Sequence, residues 1–189
     1  MVFRYEMFCQ FGALNSTFDQ SSLSIHESFI ESEFGNVQKS SNGTQSSREL
    51  DQNRAIQLQK DAFTAQVEGR TADALNCYIQ LLQTKFVRTD DENHPGYRIR
   101  YAALKNISRI LPSDKANQAI EYLLEATRLD PSECLLWWRL GSRASYIGNC
   151  ILARDAYKTA HSINSSHWPS IDALIHINFV LVRDFKLRR

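Results

Sequence analysis

The chain lacks the features that would announce catalysis, a membrane span or a cross-linked scaffold. Its four cysteines, Cys9, Cys77, Cys134 and Cys150, stand 68, 57 and 16 residues apart. That spacing matches neither a Cys-x-x-Cys zinc knuckle nor a dense disulfide framework, and reads as free thiols in a reducing compartment. No window reaches the ~18 apolar residues of a membrane span. The opening "MVFRYEMFCQFGALN" is broken by Arg4, Glu6 and Gln10, so it has no apolar stretch of a secretory signal; the expectation is an intracellular protein. An excess of one charge is missing too. With 22 basic and 21 acidic residues and a net charge of +1, there is no general attraction to nucleic acid or anionic lipid, and any partner must be recognised locally.

Catalytic signatures are equally scarce. There is no Gly-x-Ser-x-Gly elbow, no phosphate-cradling glycine loop and no Cys–His pair at a familiar spacing. His161 and His167 are six apart, which suits neither one helix face nor a zincin pair, and His26, His94 and His176 are scattered. The carboxylates of "TDDEN" at 89–93 fall in a polar run, where charge is solvated and nothing pairs it as acid and base. The expectation is therefore no enzyme, no cofactor, no metal and no small-molecule substrate.

What the chain does have is apolar content, 43% of 189 residues with 11% aromatic, enough for a real core. Residues 1–49 are the exception. From Asn15 to Ser47 the sequence is rich in Ser, Asn and Gln, with scattered Leu23, Ile25, Phe29, Ile30 and Phe34. Such a stretch cannot bury enough surface to offset its ordering entropy, so a mostly disordered tail is expected, with room for a short amphipathic helix over 23–34. After Leu50, Ala55, Leu58, Ala62 and Ala65 recur at helical spacing, and Ala74, Tyr78, Leu81 and Leu82 resume it after "EGRTADA". A second pair runs over 101–110 and 117–129, where Pro112 stops the first helix and Ser113 or Asp114 can cap the next. A third occupies 135–146 and 151–163 around "IGN", and a last helix begins at Pro169. No segment alternates with a strand's two-residue period, so the domain is expected to be all-α.

The pairs share a period. Ala119 and Ala153, Leu123 and Tyr157, and Ala126 and Ala160 are each 34 residues apart, the tetratricopeptide period. In that frame Trp137, Leu140, Gly141, Ala144, Ala153, Tyr157 and Ala160 fall on the template's Trp, Leu, Gly, Tyr, Ala, Phe and Ala places; only Ala144 departs from the usual choice. Small residues at the crossing let two antiparallel helices approach, and large ones fill the space beside them. The unit from Arg100 keeps Ala119, Leu123, Ala126 and Pro131 but has Asn106-Ile107 in place of Leu-Gly. The first keeps Leu58, Ala62, Ala74 and Tyr78. Ala74 precedes Ala119 by 45 residues, eleven beyond the period, and the surplus is the polar insertion at 89–99. The predicted fold is an α-solenoid over 50–189: hairpins at about 55–88, 100–133 and 134–167, then the first helix of a fourth at 168–189.

Such stacks line a groove with the first helix of each unit. By template the groove carries Gln59, Phe63 and Gln66, then Tyr101, Leu104 and Ser108, then Leu135, Trp138, Ser142 and Ser145. This set is apolar and hydroxylic, without the Lys, Arg and Asn ring of chaperone-tail receptors, and suits a protein-binding face. It equally suits packing against further repeats.

Beyond the generic repeat, "FGALNS" at 11–16, "HPGYRIRYAALKNISRI" at 94–110, "AIEYLLEATRLDPSECLLWWRLG" at 119–141 and "LARDAYKTAHSINSSHWPSIDALI" at 152–175 are distinctive. They resemble the amino-terminal region of the Cabin family of calcineurin-binding proteins, the animal counterparts of the third subunit of the yeast histone-regulatory complex. The least generic features are His94-Pro95-Gly96 and His167-Trp168-Pro169, which the repeat template does not demand. The resemblance implies a non-enzymatic nuclear scaffold in a histone chaperone complex for replication-independent chromatin assembly. Its implied partners are a histone-regulator WD-repeat subunit and other chaperone components, with no catalytic residue to carry over. Family members are very long, so this chain reads as a fragment whose last helix leaves Leu174, Ile175, Phe179 and Leu181 uncovered. The basic end, Arg183, Lys186, Arg188 and Arg189, is read as a solubilising feature rather than a nucleic-acid contact. The alternative is a free-standing peptide-binding adaptor, in nucleus or cytoplasm.

Overall fold

Two glycines with left-handed backbones, Gly69 at φ 76° and Gly148 at φ 79°, set the hairpin turns. Each sits just past a helix end, where the next residue's N–H reaches back five residues: Arg70 donates to the Ala65 carbonyl at 2.8 Å and Asn149 to the Ala144 carbonyl at 2.9 Å. This is the Schellman closure, which satisfies orphan carbonyls and favours a residue without a Cβ. The computed structural model describes residues 47–187; the expected disordered tail and the segment 23–34 lie outside the described residues. Among these residues the chain forms α1 (Ser47–Val67), α2 (Thr71–Gln83), α3 (Pro95–Ile110), α4 (Ala116–Leu129), α5 (Cys134–Tyr146), α6 (Cys150–Ile163) and α7 (Trp168–Leu187), with no strand. Each helix packs against its neighbours in sequence. The predicted all-α solenoid of three hairpins and the first helix of a fourth is the architecture found.

Local chemistry moves several boundaries. Helix α3 begins at Pro95, so the insertion ends earlier than the sequence suggests, and a 3-10 turn occupies Lys85–Val87. His94 caps α3 by accepting the Gly96 N–H at its Nδ1, 3.0 Å away, and Pro95 takes the first-turn place where a missing N–H costs nothing. Gly96 is required for space: a Cβ there would lie 2.0 Å from the Phe86 carbonyl oxygen. The His-Pro-Gly run is thus a cap, a helix start and a close backbone approach in three residues. At the next turn the expected side-chain cap from Ser113 or Asp114 does not form. Those residues make a 3-10 turn, Ser113–Lys115, and α4 starts at Ala116 without a side-chain cap. Asn149 does cap α6, accepting from the Leu152 N–H at 3.1 Å.

The hairpins cross at matched places with different volumes. In the third, Gly141 lies against the Tyr157 ring so closely that a Cβ would be 2.6 Å from Cδ1. The same two places hold Ile107 and Leu123 in the second hairpin and Ala62 and Tyr78 in the first, all buried. A small residue meets a ring, or two aliphatics meet each other, so interior density is kept by different pairings. Ala74, Ala119, Ala126, Ala153 and Ala160 are all buried, as is Leu140. Trp137 is half-buried beside them and donates its indole N–H to the Pro131 carbonyl at 2.8 Å. Asn106, standing at a Leu place, donates to the Tyr78 hydroxyl at 3.1 Å, and that hydroxyl donates to Gln66 at 3.2 Å. The buried Tyr78 is thereby satisfied at both ends, as a buried phenol requires.

Two outcomes follow from this packing. Gly141→Ala is expected to lower the unfolding free energy by ~1–3 kcal/mol. In Gly141→Ala/Tyr157→Leu, which imitates the Ile107–Leu123 pairing, the loss falls short of the two single losses combined; urea melts of the four proteins check it, and simple additivity refutes it. Burial pushes Tyr78 and Tyr157 up to about 12. Their unfolded value is about 10, so the folded state holds these protons more tightly. Stability should be level below pH ~10 and fall as pH rises from there toward 12. Phenolate absorbance during an alkaline titration, alongside helical circular dichroism, should show these two rings ionising last.

Candidate functional site

The first helices of the hairpins, α1, α3 and α5, present one face of the stack, continued by α7. On α5, Leu135 is 44% exposed, and Trp138, Ser142 and Ser145 are half-buried, as are Tyr101 on α3 and Phe63 and Gln66 on α1. Trp138 meets the His167 ring edge-on, with centroids 6.1 Å apart and planes at 76°. His167 Nδ1 in turn shares a 2.7 Å hydrogen bond with the buried Ser170 hydroxyl.

Three expected groove residues are not on the surface. Gln59, Leu104 and Ser108 are buried. Helix α5 packs onto that side of α3, so Leu104 joins a cluster with Leu136 and Leu140. Arg143 closes over Ser108 by donating to the Leu111 carbonyl at 2.8 Å, and the Ser108 hydroxyl turns inward to the Lys105 carbonyl at 2.8 Å.

The face is also less apolar than its sequence suggests. Glu133, at the start of α5, accepts the Tyr101 hydroxyl proton and is 2.7 Å from the Lys105 ammonium. That ammonium stands 5.8 Å from the Tyr101 ring centroid. Burial first, then the hydrogen bond to Glu133 and its negative charge, hold the Tyr101 phenol well above the usual range. Asp130 is held below the usual carboxylate range, chiefly by the Ser132 hydroxyl. Arg139 is half-buried, and burial, followed by the positive charge of Arg109, lowers its guanidinium from the ordinary value. Burial does the same to Arg143. The sequence signal for these groups was available: Lys105 and Arg139 are 34 residues apart, and so are Arg109 and Arg143.

Elsewhere little chemistry is assembled. An open cavity of about 400 Å³ is lined by Leu82, Arg88, Asp90, Arg100 and Glu125. Arg100 spends its charge on Glu125 at 2.5 Å and on Asp90 at 4.0 Å. Among the described residues no His, Cys, Asp or Glu cluster is arranged for a metal, Cys77, Cys134 and Cys150 are unpaired, and no helix is long and apolar enough to cross a membrane. On α7, Ile175 and Phe179 are 66% and 68% exposed. Leu174, expected to be uncovered, instead packs against the core cluster, and Leu181 is half-buried.

No family model matches the chain. Solved structures do. The C-terminal tetratricopeptide-containing domain of a Plasmodium falciparum protein described as FK506-binding superposes with a TM-score of 0.63 at 16% identity, over 75% of this chain and 97% of that one. The MamA protein superposes at 0.56 with 19% identity, over 68% of this chain and 64% of its own. The tetratricopeptide domain of Sgt2 from Aspergillus fumigatus superposes at 0.53 with 17% identity, over 70% of this chain and 82% of its own. At such identities the likeness concerns the fold alone, and the fold is a tetratricopeptide solenoid.

The Lys105–Glu133 pair is partly solvated, with side-chain exposures of 36% and 22%, so its worth is small. A double-mutant cycle of Lys105→Met and Glu133→Gln, read by urea unfolding, should give a coupling of ~0.2–1 kcal/mol.

Proposed function

We propose that this protein is a non-enzymatic interaction scaffold that holds a partner protein across the face of its first helices. The observation that supports the reading is Leu135, exposed beside half-buried Trp138 and Tyr101, on adjacent first helices of a fold built to offer an extended surface. Aromatic side chains in that setting are the usual anchors of a protein interface.

The finer reading rests on the segments at 94–110, 119–141 and 152–175 and on their resemblance to the Cabin family. It makes the chain part of a nuclear histone chaperone scaffold, with a histone-regulator WD-repeat protein as its neighbour. The His94-Pro95-Gly96 run supports it: the repeat template does not ask for these residues, yet here they cap α3 and admit the Phe86 carbonyl. A second reading, a free-standing peptide adaptor, draws on the same exposed Leu135.

The experiment is titration calorimetry of the full chain with a purified histone-regulator WD-repeat protein. A complex is expected, weakened about tenfold or more by Leu135→Ser/Trp138→Ala while the helical melt is retained. No complex rejects the chromatin reading; a complex indifferent to both substitutions rejects this face as the contact.

A further inference from the structure

One template place carries a cation in three successive hairpins. Lys60 on α1, Lys105 on α3 and Arg139 on α5 each stand two residues before the crossing residues Ala62, Ile107 and Gly141. One turn further along the same face, Arg109 and Arg143 repeat the arrangement in the second and third hairpins. The acidic groups nearby are already engaged: Glu133 by Lys105 and Tyr101, and Asp130 by Ser132. Arg143 is occupied with the Leu111 carbonyl, and Arg109 reaches Asn106 at 3.4 Å. Lys60 and Arg139 make no hydrogen bond or ion pair among the described residues. Arg139 is nevertheless half-buried, and Glu133 acts on it only through its field. A partly desolvated guanidinium with no acceptor is an unfavourable arrangement that a carboxylate would relieve with charge-assisted hydrogen bonds.

The spacing says more than the charge. Packed neighbouring helices lie ~8–10 Å apart, which sets the interval between successive cations of the row. A chain in the polyproline II conformation has three residues per turn and rises ~3.1 Å per residue, so every third side chain returns to the same side after ~9 Å. We infer that the face takes an extended acidic segment of a partner protein, with a carboxylate at every third residue, laid across α1, α3 and α5 so that its acids meet Lys60, Lys105 and Arg139. Leu135 and Trp138 beside the row accept apolar side chains between the acids. Nucleic acid fits less well: the net charge of +1 supplies no general field, and Glu133 stands inside the row and repels a continuous line of phosphates. The inference rests on the first-helix face being the contact surface and adds the chemistry of what it holds.

The test uses the full chain and a fluorescein-labelled peptide of three Glu-Pro-Leu triplets, read by anisotropy. Its comparators are the same peptide with Gln for Glu, a composition-matched peptide with the three Glu contiguous, and a short oligothymidylate. The spaced acidic peptide is expected to bind about tenfold more tightly than either peptide comparator and to weaken as salt rises from about 0.05 to 0.5 M. Arg139→Gln and Lys60→Gln should each weaken it severalfold. Because Arg139 has no partner in the fold, Arg139→Gln should not lower the urea midpoint; a lower midpoint assigns it a structural role and overturns the inference. So does equal affinity for the Glu and Gln peptides, equal affinity for spaced and contiguous acids, or tighter binding of the oligonucleotide. If the acidic peptide fails while Leu135→Ser/Trp138→Ala still disrupts the WD-repeat complex, the scaffold reading stands and only the acidic-segment inference falls.

Discussion

The crossing of two antiparallel helices within a hairpin is the contact on which the rest of the molecule depends. At Gly141 the approach is so close that a single Cβ has no room against Tyr157. The neighbouring hairpins reach the same closeness with Ala62 and Tyr78 or Ile107 and Leu123. Because the crossing fixes the rotation of each first helix about its axis, it also decides which side chains of that helix are left for the open face. Lys105 and Arg139 share their place for no other reason than that Ile107 and Gly141 share theirs.

Stacking then edits that face. Where α5 lies on α3, Leu104 is taken into the core and Ser108 is roofed by Arg143; one repeat later the equivalent Trp138 and Ser142 remain half-open. The polar groups released by this asymmetry find partners across the junction. Tyr101 and Lys105 of α3 both meet Glu133 at the start of α5, and Tyr97 donates to the Leu129 carbonyl at 2.8 Å. Units that share a sequence register therefore do not share an environment, and the face changes from sealed to accessible along the solenoid.

Much of this was readable beforehand, and the exceptions have specific causes. The 34-residue register of Ala119, Ala126, Ala153 and Ala160 located the hairpins because small residues at a crossing are a local, periodic demand. Asn106 looked like a lapse from the template until the Tyr78 hydroxyl supplied its partner, 28 residues away in sequence. The early start of α3 was hidden because Gly96 answers to the Phe86 carbonyl, a contact across a loop that no helical periodicity encodes. The cationic row was overlooked because the template reading followed apolar places, although the same 34-residue step was present in Lys105 and Arg139.

Period, helix count and the pairing of volumes are written in residue order, since each involves neighbours within one hairpin and the backbone geometry of a helix is universal. The exposure of Leu104 against that of Trp138, the engagement of Glu133 and the isolation of Arg139 were settled only on assembly. They depend on how far one hairpin overlaps the next, a sum of many weak contacts between segments distant along the chain, and no short stretch of residues contains that sum.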